Sequence, residues 1–225
     1  MSSDSELIVS LAGQLGGILG KRLTPDGLCQ ATGSLLALAE GEITALLELP
    51  VNAEARPACA IDCHACCHCL VGATAPEVII LASRIALLPA ETVTAIRQRT
   101  AVVAMSMAAM SLDQRMSSRT ACPFLHERRC QVYALRPLAC RGHTSINRAI
   151  CDSWLETGEV VTVPTISETR RVVDLSHTAL TKALRPFNVR MELLDFRIAI
   201  HLALSDGTLA EQWCNGGDPF AAAVV

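Results

Sequence analysis

The chain has 225 residues, 51% of them hydrophobic and 18% charged, with a formal net charge of −3. That composition excludes intrinsic disorder, supplies enough apolar surface for a real core, and excludes a polycation built for nucleic acid. Four Phe, two Trp and one Tyr are too few for a base-stacking platform, so nucleic acid is not an expected partner.

The N-terminal MSSDSELIVS carries acids where a secretory leader carries positive charge, and glycines 13, 16, 17 and 20 interrupt the apolar run behind it. No signal peptide is expected. No apolar run reaches the length of about 18 residues that a spanning helix needs, so no membrane segment is expected and the chain reads as cytoplasmic. Leu7, Leu11, Leu15 and Ile18 recur at helical spacing, and residues 28–49 are rich in Leu and Ala. Residues 5–49 thus read as two helices packed on a larger core, with Asp26 after Pro25 capping the second. Residues 50–57, bounded by two prolines, read as a connector.

Pro76 opens a third helix that ends near Pro89, and a longer helix is expected over 91–117. Val93, Ile96, Thr100, Val103, Met107 and Met110 make one apolar seam on it, suited to another helix of the chain or to a homodimer. Met105, Met107, Met110 and Met116 read as core filling rather than as soft metal ligands. Pro123, Pro137 and Gly142 break residues 119–151 into loop with short elements. Residues 160–164 read as a short strand or extended linker. A helix is expected over 167–184, with Val172, Leu175, Ala179 and Ala183 on its buried face. Another is expected over 189–204, closed by Asp206-Gly207, and 216–225 reads as a fraying tail. The fold class is mainly α: one domain over 1–225, with an irregular cysteine-rich metal-binding insert at 59–151 between helical segments 5–49 and 165–205.

Of eleven cysteines, nine fall between Cys59 and Cys151. Thiols stay reduced in the cytosol, so clustered cysteines there point to a metal; a secreted disulfide framework is the competing reading. The first group is Cys59, Cys63, Cys66, Cys67 and Cys69, and the second is Cys122, Cys130, Cys140 and Cys151. Four soft donors around one ion need short spacings from at least two segments, for zinc and for an iron–sulfur cluster alike. Positions 59, 63, 66 and 67 would share one face of a helix; alternatively, Cys63 and Cys66 form a two-residue-gap knuckle. Cys69 falls outside the tight spacing. Cys29 and Cys214 stand apart and read as buried apolar residues. His64, His68 and His143 lie beside cysteines and stay open as ligands, whereas His126, His177 and His201 read as structural. The nine thiols exceed the need of one zinc, so two ions, or one cluster with supporting cysteines, are both allowed.

Six arginines (119, 128, 129, 136, 141 and 148) lie around the second group with Glu127 as the only acid. Such cations are expected to lower thiol pKa values and favour the metal-binding thiolate; a solvated basic loop or a phosphate patch would look the same in sequence. Pro137 holds Arg136 extended ahead of Cys140, from where an arginine reaches backbone carbonyls or sulfur. No phosphate loop, nucleophile elbow or H-E-x-x-H is present, and the glycines of the first helix follow no strand as a dinucleotide fingerprint requires. A Cys140–His143 nucleophile pair is less consistent with a multi-thiol cluster than ligation is. No residue is assigned as catalytic, and whether the chain is an enzyme stays open.

The string Cys59-x3-Cys63-x2-Cys66-Cys67, then Cys122-Pro123, then Cys130-x-Val132-Tyr133-x2-Arg136-Pro137-x2-Cys140-Arg141, resembles the YkgJ-type cysteine-cluster family, described as a zinc- or iron-chelating domain. The resemblance covers about 59–151. It implies metal ligation by Cys59, Cys63, Cys66, Cys67, Cys122, Cys130 and Cys140, with Cys151 extending the pattern. Ala65 stands where the family carries glycine before the Cys-Cys pair. The implied cofactor is a zinc ion, with iron or an iron–sulfur cluster as the alternative. A similar module in flagellin lysine N-methylases implies a redox or alkyl-transfer role for that alternative.

Overall fold

The computed structural model describes residues 3–49, 56–60 and 62–225. Among them are ten α-helices and four two-residue strands, so the chain is mainly α. Helices α1 (Asp4–Leu19) and α2 (Pro25–Glu48) form the first pair, as the Leu spacing predicts. Glycines 13, 16 and 17 do not break α1; it ends before Gly20, which takes φ +70°. The cap of α2 is Thr24 rather than Asp26: the Thr24 hydroxyl accepts Gly27 N–H at 3.1 Å and Pro25 takes the first turn. Asp26 sits in that turn, favourably placed for the helix dipole. The connector expected at 50–57 lies outside the described residues from 50 to 55.

Helix α3 (Ala75–Ile85) carries Pro76 in its first turn and stops short of Pro89. The single helix expected over 91–117 is two, α4 (Ala90–Ala108) and α5 (Leu112–Ser117). Ser111 starts the second: its hydroxyl accepts Gln114 N–H at 3.3 Å, and Gln114 Oε1 accepts Ser111 N–H at 2.8 Å. This capping box outcompetes continuation of the helix. The seam of α4 faces inward onto α9 (Phe196–Ser205). Met107 is buried and Met110 packs on the core, but Met105 and Met116 are exposed, which corrects their reading as core filling.

Residues 119–151 hold a hairpin, β2 (Leu125–His126) with β3 (Arg129–Cys130), and the short helix α6 (Leu138–Gly142). They also run into a ten-residue helix not expected there, α7 (Arg148–Thr157), whose first turn Asn147 caps. Residues 160–164 are a linker, after which Pro164–Ile166 are joined to Thr144–Ile146 by backbone hydrogen bonds. Helix α8 (Ser167–Leu184) keeps its expected bounds, and its buried face takes in the predicted Ala179 and Ala183 together with Thr169, Val173, Ser176 and Leu180, while Val172 packs against the core partly buried. The last long helix starts at Phe196, not Val189. Leu194–Asp195 forms strand β4, paired antiparallel with β1 (Gly72–Ala73), and Asp195 caps α9 by accepting Arg197 N–H at 3.1 Å. Helix α10 (Leu209–Cys214) follows, and the tail does not fray: Val225 N–H donates to Leu193 O at 3.1 Å and Phe220 and Ala223 are buried.

Helices α1, α2 and α8 pack on one another, α3 bridges α2 to α9, and α4 covers α9. One buried apolar cluster runs through these helices from Ala12 to Ala223. Helix α6 lies on α8 so closely that a Cβ at Gly142 would overlap Val173. No helix among the described residues is long and apolar enough to cross a membrane.

Glu77 in α3 joins this frame to the cysteine region. It is buried, and its Oε2 accepts Thr74 N–H at 2.7 Å and the Thr74 hydroxyl at 2.6 Å, with His177 Nε2 of α8 at 3.3 Å. Its Oε1 accepts Leu138 N–H of α6 at 2.7 Å. Burial opposes ionisation, but His177, Thr74 and Leu138 outweigh it and hold the carboxyl below its ordinary range. Replacing Glu77 by Gln puts amide hydrogens against buried donors and removes the partner of His177. We expect a loss of about 3 kcal/mol in urea denaturation; a loss below about 1 kcal/mol would show that the carboxylate is not a structural tie.

Candidate metal centre

The first cysteine segment is a turn, not a helix face. Residues 65–68 form one 3-10 turn, in which Cys67 N–H donates to His64 O at 2.9 Å and Cys69 N–H to Cys66 O at 3.2 Å. Cys59 and Cys63 precede it on irregular backbone, so the four positions do not share one helix face. Ala58 N–H donates to Ser145 O at 2.7 Å, and the exposed Cys59 thiol lies 3.8 Å from the same oxygen. Helix α7 packs across the 65–68 turn. It carries Cys151, buried one turn in, with its thiol 3.6 Å from Asn147 O.

The second segment returns to the first through the backbone. Cys122 N–H donates to Cys67 O at 2.7 Å. The hairpin then pairs Leu125 with Cys130, and its tip residues Glu127 and Arg128 take φ +48° and +62°. Arg141 supplies the next constraint. Its buried guanidinium donates to Arg136 O at 2.9 Å, Ala134 O at 2.6 Å and Glu40 Oε2 at 2.5 Å. It therefore clamps the turn at 133–136 that delivers Cys140. Arg136 lies over the Tyr133 ring at 3.7 Å and reaches Glu40 at 3.3 Å. The Tyr, Arg, Pro, Cys and Arg positions of the motif thus form one interlocked turn.

Cys66 stands where the two segments meet. As a thiolate it would oppose ionisation of Cys59, Cys63 and Cys69 from the first segment and of Cys122, Cys130 and Cys140 from the second. Its own thiol is pushed up by its hydrogen bond with Cys67, then by burial, then by the Cys67 charge. Burial pushes Cys122 up to about 12 and Cys69 up to about 11. Burial also raises Cys140, aided by Cys122, Cys66 and Cys130. The sequence expectation that arginines lower these values is corrected here. Arg136 does lower Cys66 and Cys130, and Arg148 lowers Cys63, but burial and thiol crowding prevail.

The basic loop is also less bare than its sequence. Glu40 of α2 pairs with Arg136 and Arg141, and Asp62 and Asp152 pair with Arg148. Arg119 donates to Leu155 O and Glu156 O at the end of α7.

Cys69, set aside by spacing, joins the cluster: Cys66 and Cys151 both bear on it. The signal available was its position two residues past the Cys-Cys pair, where one turn folds it back. Cys29 and Cys214 lie apart, near one another between α2 and α10, with Cys29 half-buried and Cys214 buried. His143 and His126 are exposed. His68 Nδ1 lies 3.1 Å from His64 O, and His64 Nδ1 is buried without a hydrogen-bond partner. All eleven cysteines are free thiols.

Among the described residues, no three His, Cys, Asp or Glu side chains form a set that could hold a metal ion as they stand. The chemistry of the donors nevertheless fits a soft cation. Crowded thiols that raise one another's pKa are relieved when a dication takes the place of their protons.

Residues 58–160 match the family model CxxCxxCC, described as "Putative zinc- or iron-chelating domain". The cysteine-rich segment therefore matches the family that its motifs resemble, and the match takes in Cys69 and Cys151. The helices on either side lie outside it. No curated protein and no solved structure matches the chain significantly.

Thiol accessibility follows from this arrangement. In metal-free, reduced protein at neutral pH, iodoacetamide should modify Cys59 well before Cys122 and Cys140, because exposure and thiolate fraction both favour it. Peptide mass spectrometry over a time course checks this order; early modification of Cys140 would mean that the turn at 133–141 is open in solution.

Proposed function

We propose that this chain chelates a transition metal, zinc in the first place, in a structural or ion-handling role. The candidate ligands are Cys59, Cys63, Cys66, Cys67, Cys122, Cys130, Cys140 and Cys151, to which the geometry adds Cys69. The observation that carries the reading is the hydrogen bond from Cys122 N–H to Cys67 O at 2.7 Å, which joins the two cysteine segments next to Cys66. Zinc suits a closed thiolate site and needs no redox partner. A bound ion supplies positive charge that keeps these thiols deprotonated. The chain's own contribution is to hold the two segments together: Arg141 fixes the approach of Cys140, Asn147 starts the helix of Cys151, and Glu77 anchors α6. A reducing, cytoplasmic setting fits free thiols. No catalytic residue is proposed. The seam of α4 is taken up by α9, so it gives no support to a homodimer.

Anaerobic purification followed by an absorbance scan and elemental analysis of the same sample tests the reading. A colourless protein containing zinc is expected. A broad band near roughly 400 nm with iron and labile sulfide would overturn zinc in favour of an iron–sulfur centre with redox or alkyl-transfer chemistry. Cys63→Ser, Cys66→Ser and Cys140→Ser should each lower metal content and Tm, since metal binding energy is folding energy. Cys29→Ser and Cys214→Ser should leave metal content unchanged. Full occupancy and unchanged melting in the first three variants would refute the ligand assignment.

A further inference from the structure

Helix α2 leaves one face open to solvent. Gly33, Ala37, Gly41 and Ala45 follow one another at every fourth position, which makes a low row of small side chains along about 18 Å of the helix. The turn at 133–135 stands across from this row, and the two enclose a groove of about 720 Å³ that Glu40, Glu48 and Arg141 also line. The apolar surface continues past the small residues. Leu38 lies three positions before Gly41 and Leu49 four after Ala45, and they are 49% and 45% exposed. Tyr133 on the opposite wall is 58% exposed.

Two features of this face have no cause inside the fold. The first is Gly41. A Cβ at Gly33 would lie 3.2 Å from Ile80 Cδ1, so the packing of α3 accounts for that glycine. A Cβ at Gly41 would meet nothing within 4 Å. Glycine in a helix interior weakens the helix relative to alanine, and no neighbour among the described residues asks for it here. The second feature is charge. Helix α2 carries Asp26, Glu40, Glu42 and Glu48 and no Lys or Arg. Glu40 is paired with Arg136 and Arg141, whereas Glu42 and Glu48 have no ion-pair partner among the described residues. Glu48 lines the groove from the last residue of α2, where the helix dipole already presents negative charge. An anion is disfavoured there unless a cation from elsewhere faces it.

We infer that the groove between α2 and the turn at 133–135 receives an amphipathic helix of a partner protein, whose apolar side chains seat on Gly41 and Ala45 and whose Lys or Arg faces Glu48. A row of small residues at fourth-position spacing matches the ridge that a second helix presents, and the groove is long enough for about three turns of one. The missing Cβ at Gly41 lets that helix come close. The unpaired acid selects its charge, since a basic flank is attracted and an acidic one repelled. Helix α2 of a second copy offers no cation and does not fit this requirement. The inference goes beyond metal chelation and does not rest on it. Its place in the fold connects the two all the same: the groove wall is the turn that Arg141 clamps ahead of Cys140, so a bound partner rests beside the cysteine segments.

The test uses the full chain as purified and two fluorescein-labelled helical peptides of about three turns. Both carry leucine along one face; one has lysine on its flank and the other glutamate. Fluorescence anisotropy should show binding of the lysine peptide, weakened by added salt, and none of the glutamate peptide. Gly41→Leu should weaken the lysine peptide by about 10-fold or more. That variant has room for its side chain in the free protein, so its Tm should not fall. It also adds apolar surface, so non-specific adsorption would rise where binding in the groove falls. Glu48→Lys should weaken the lysine peptide and admit the glutamate one. No binding of the lysine peptide, equal binding of both peptides, or an unchanged affinity in Gly41→Leu would overturn the inference. So would a dimer of the protein alone in sedimentation velocity that Gly41→Leu dissolves, since a second copy would then be the occupant.

Discussion

A single buried carboxylate ties the helical frame to the cysteine segments. Glu77 receives hydrogen from Thr74 at the start of its own helix, from His177 on α8 and from the backbone of Leu138. Leu138 lies two residues before Cys140, so the carboxylate fixes a helix start and a candidate ligand together. An apolar residue at 77 would fill the space but leave Leu138 N–H unpaired in the interior. Few residue types solve that problem, because the partners are a backbone N–H, a hydroxyl and an imidazole from three separate elements.

Around the thiols, two opposing effects set the chemistry. Arginine charges favour thiolate, and burial opposes it; burial prevails at Cys66, Cys122 and Cys140. The apoprotein therefore holds these thiols mainly protonated near neutrality, and binding a soft cation must displace those protons. That coupling makes loading pH-dependent, with acid opposing it.

Much of the frame was legible in the sequence. Leucine spacing gives α1 and α2, and β-branched and small residues at helical intervals give α8. What escaped the sequence depends on contacts between distant residues. Asp195 reads as an ordinary acid within an apolar stretch, but its capping bond to Arg197 and the pairing of β4 with β1 convert the expected helix at 189–195 into extended chain. The break between α4 and α5 was local and readable, since Ser111 and Gln114 stand at capping-box spacing. In the candidate site, the order of cysteines and the RPxxCR motif pointed to ligands and to a held turn. The partners of the basic loop were not readable, because Glu40 and Asp62 precede it by about a hundred residues. Cys69 shows the opposite effect: linear spacing sets it apart, but the 3-10 turn brings its N–H back to Cys66 O at 3.2 Å.

The backbone and the side chains of the centre answer to different forces. The Cys122–Cys67 hydrogen bond, the Arg141 clamp and the Asn147 cap involve no sulfur. They assemble the two segments whether or not the thiols are charged. The apolar cluster of α1, α2, α3, α8 and α9 likewise contains none of the candidate ligands except Cys122, which packs at its edge. Under the chelation reading, loss of an ion is therefore felt first in the cysteine segments and last in the helices. Local opening of that kind is the natural route by which an ion enters or leaves a site whose deeper thiols are buried. Under the proposed reading, the helical core persists when the ion leaves while the cysteine segments lose its contribution to stability, a division that suits ion handling at least as well as it suits a permanent structural site.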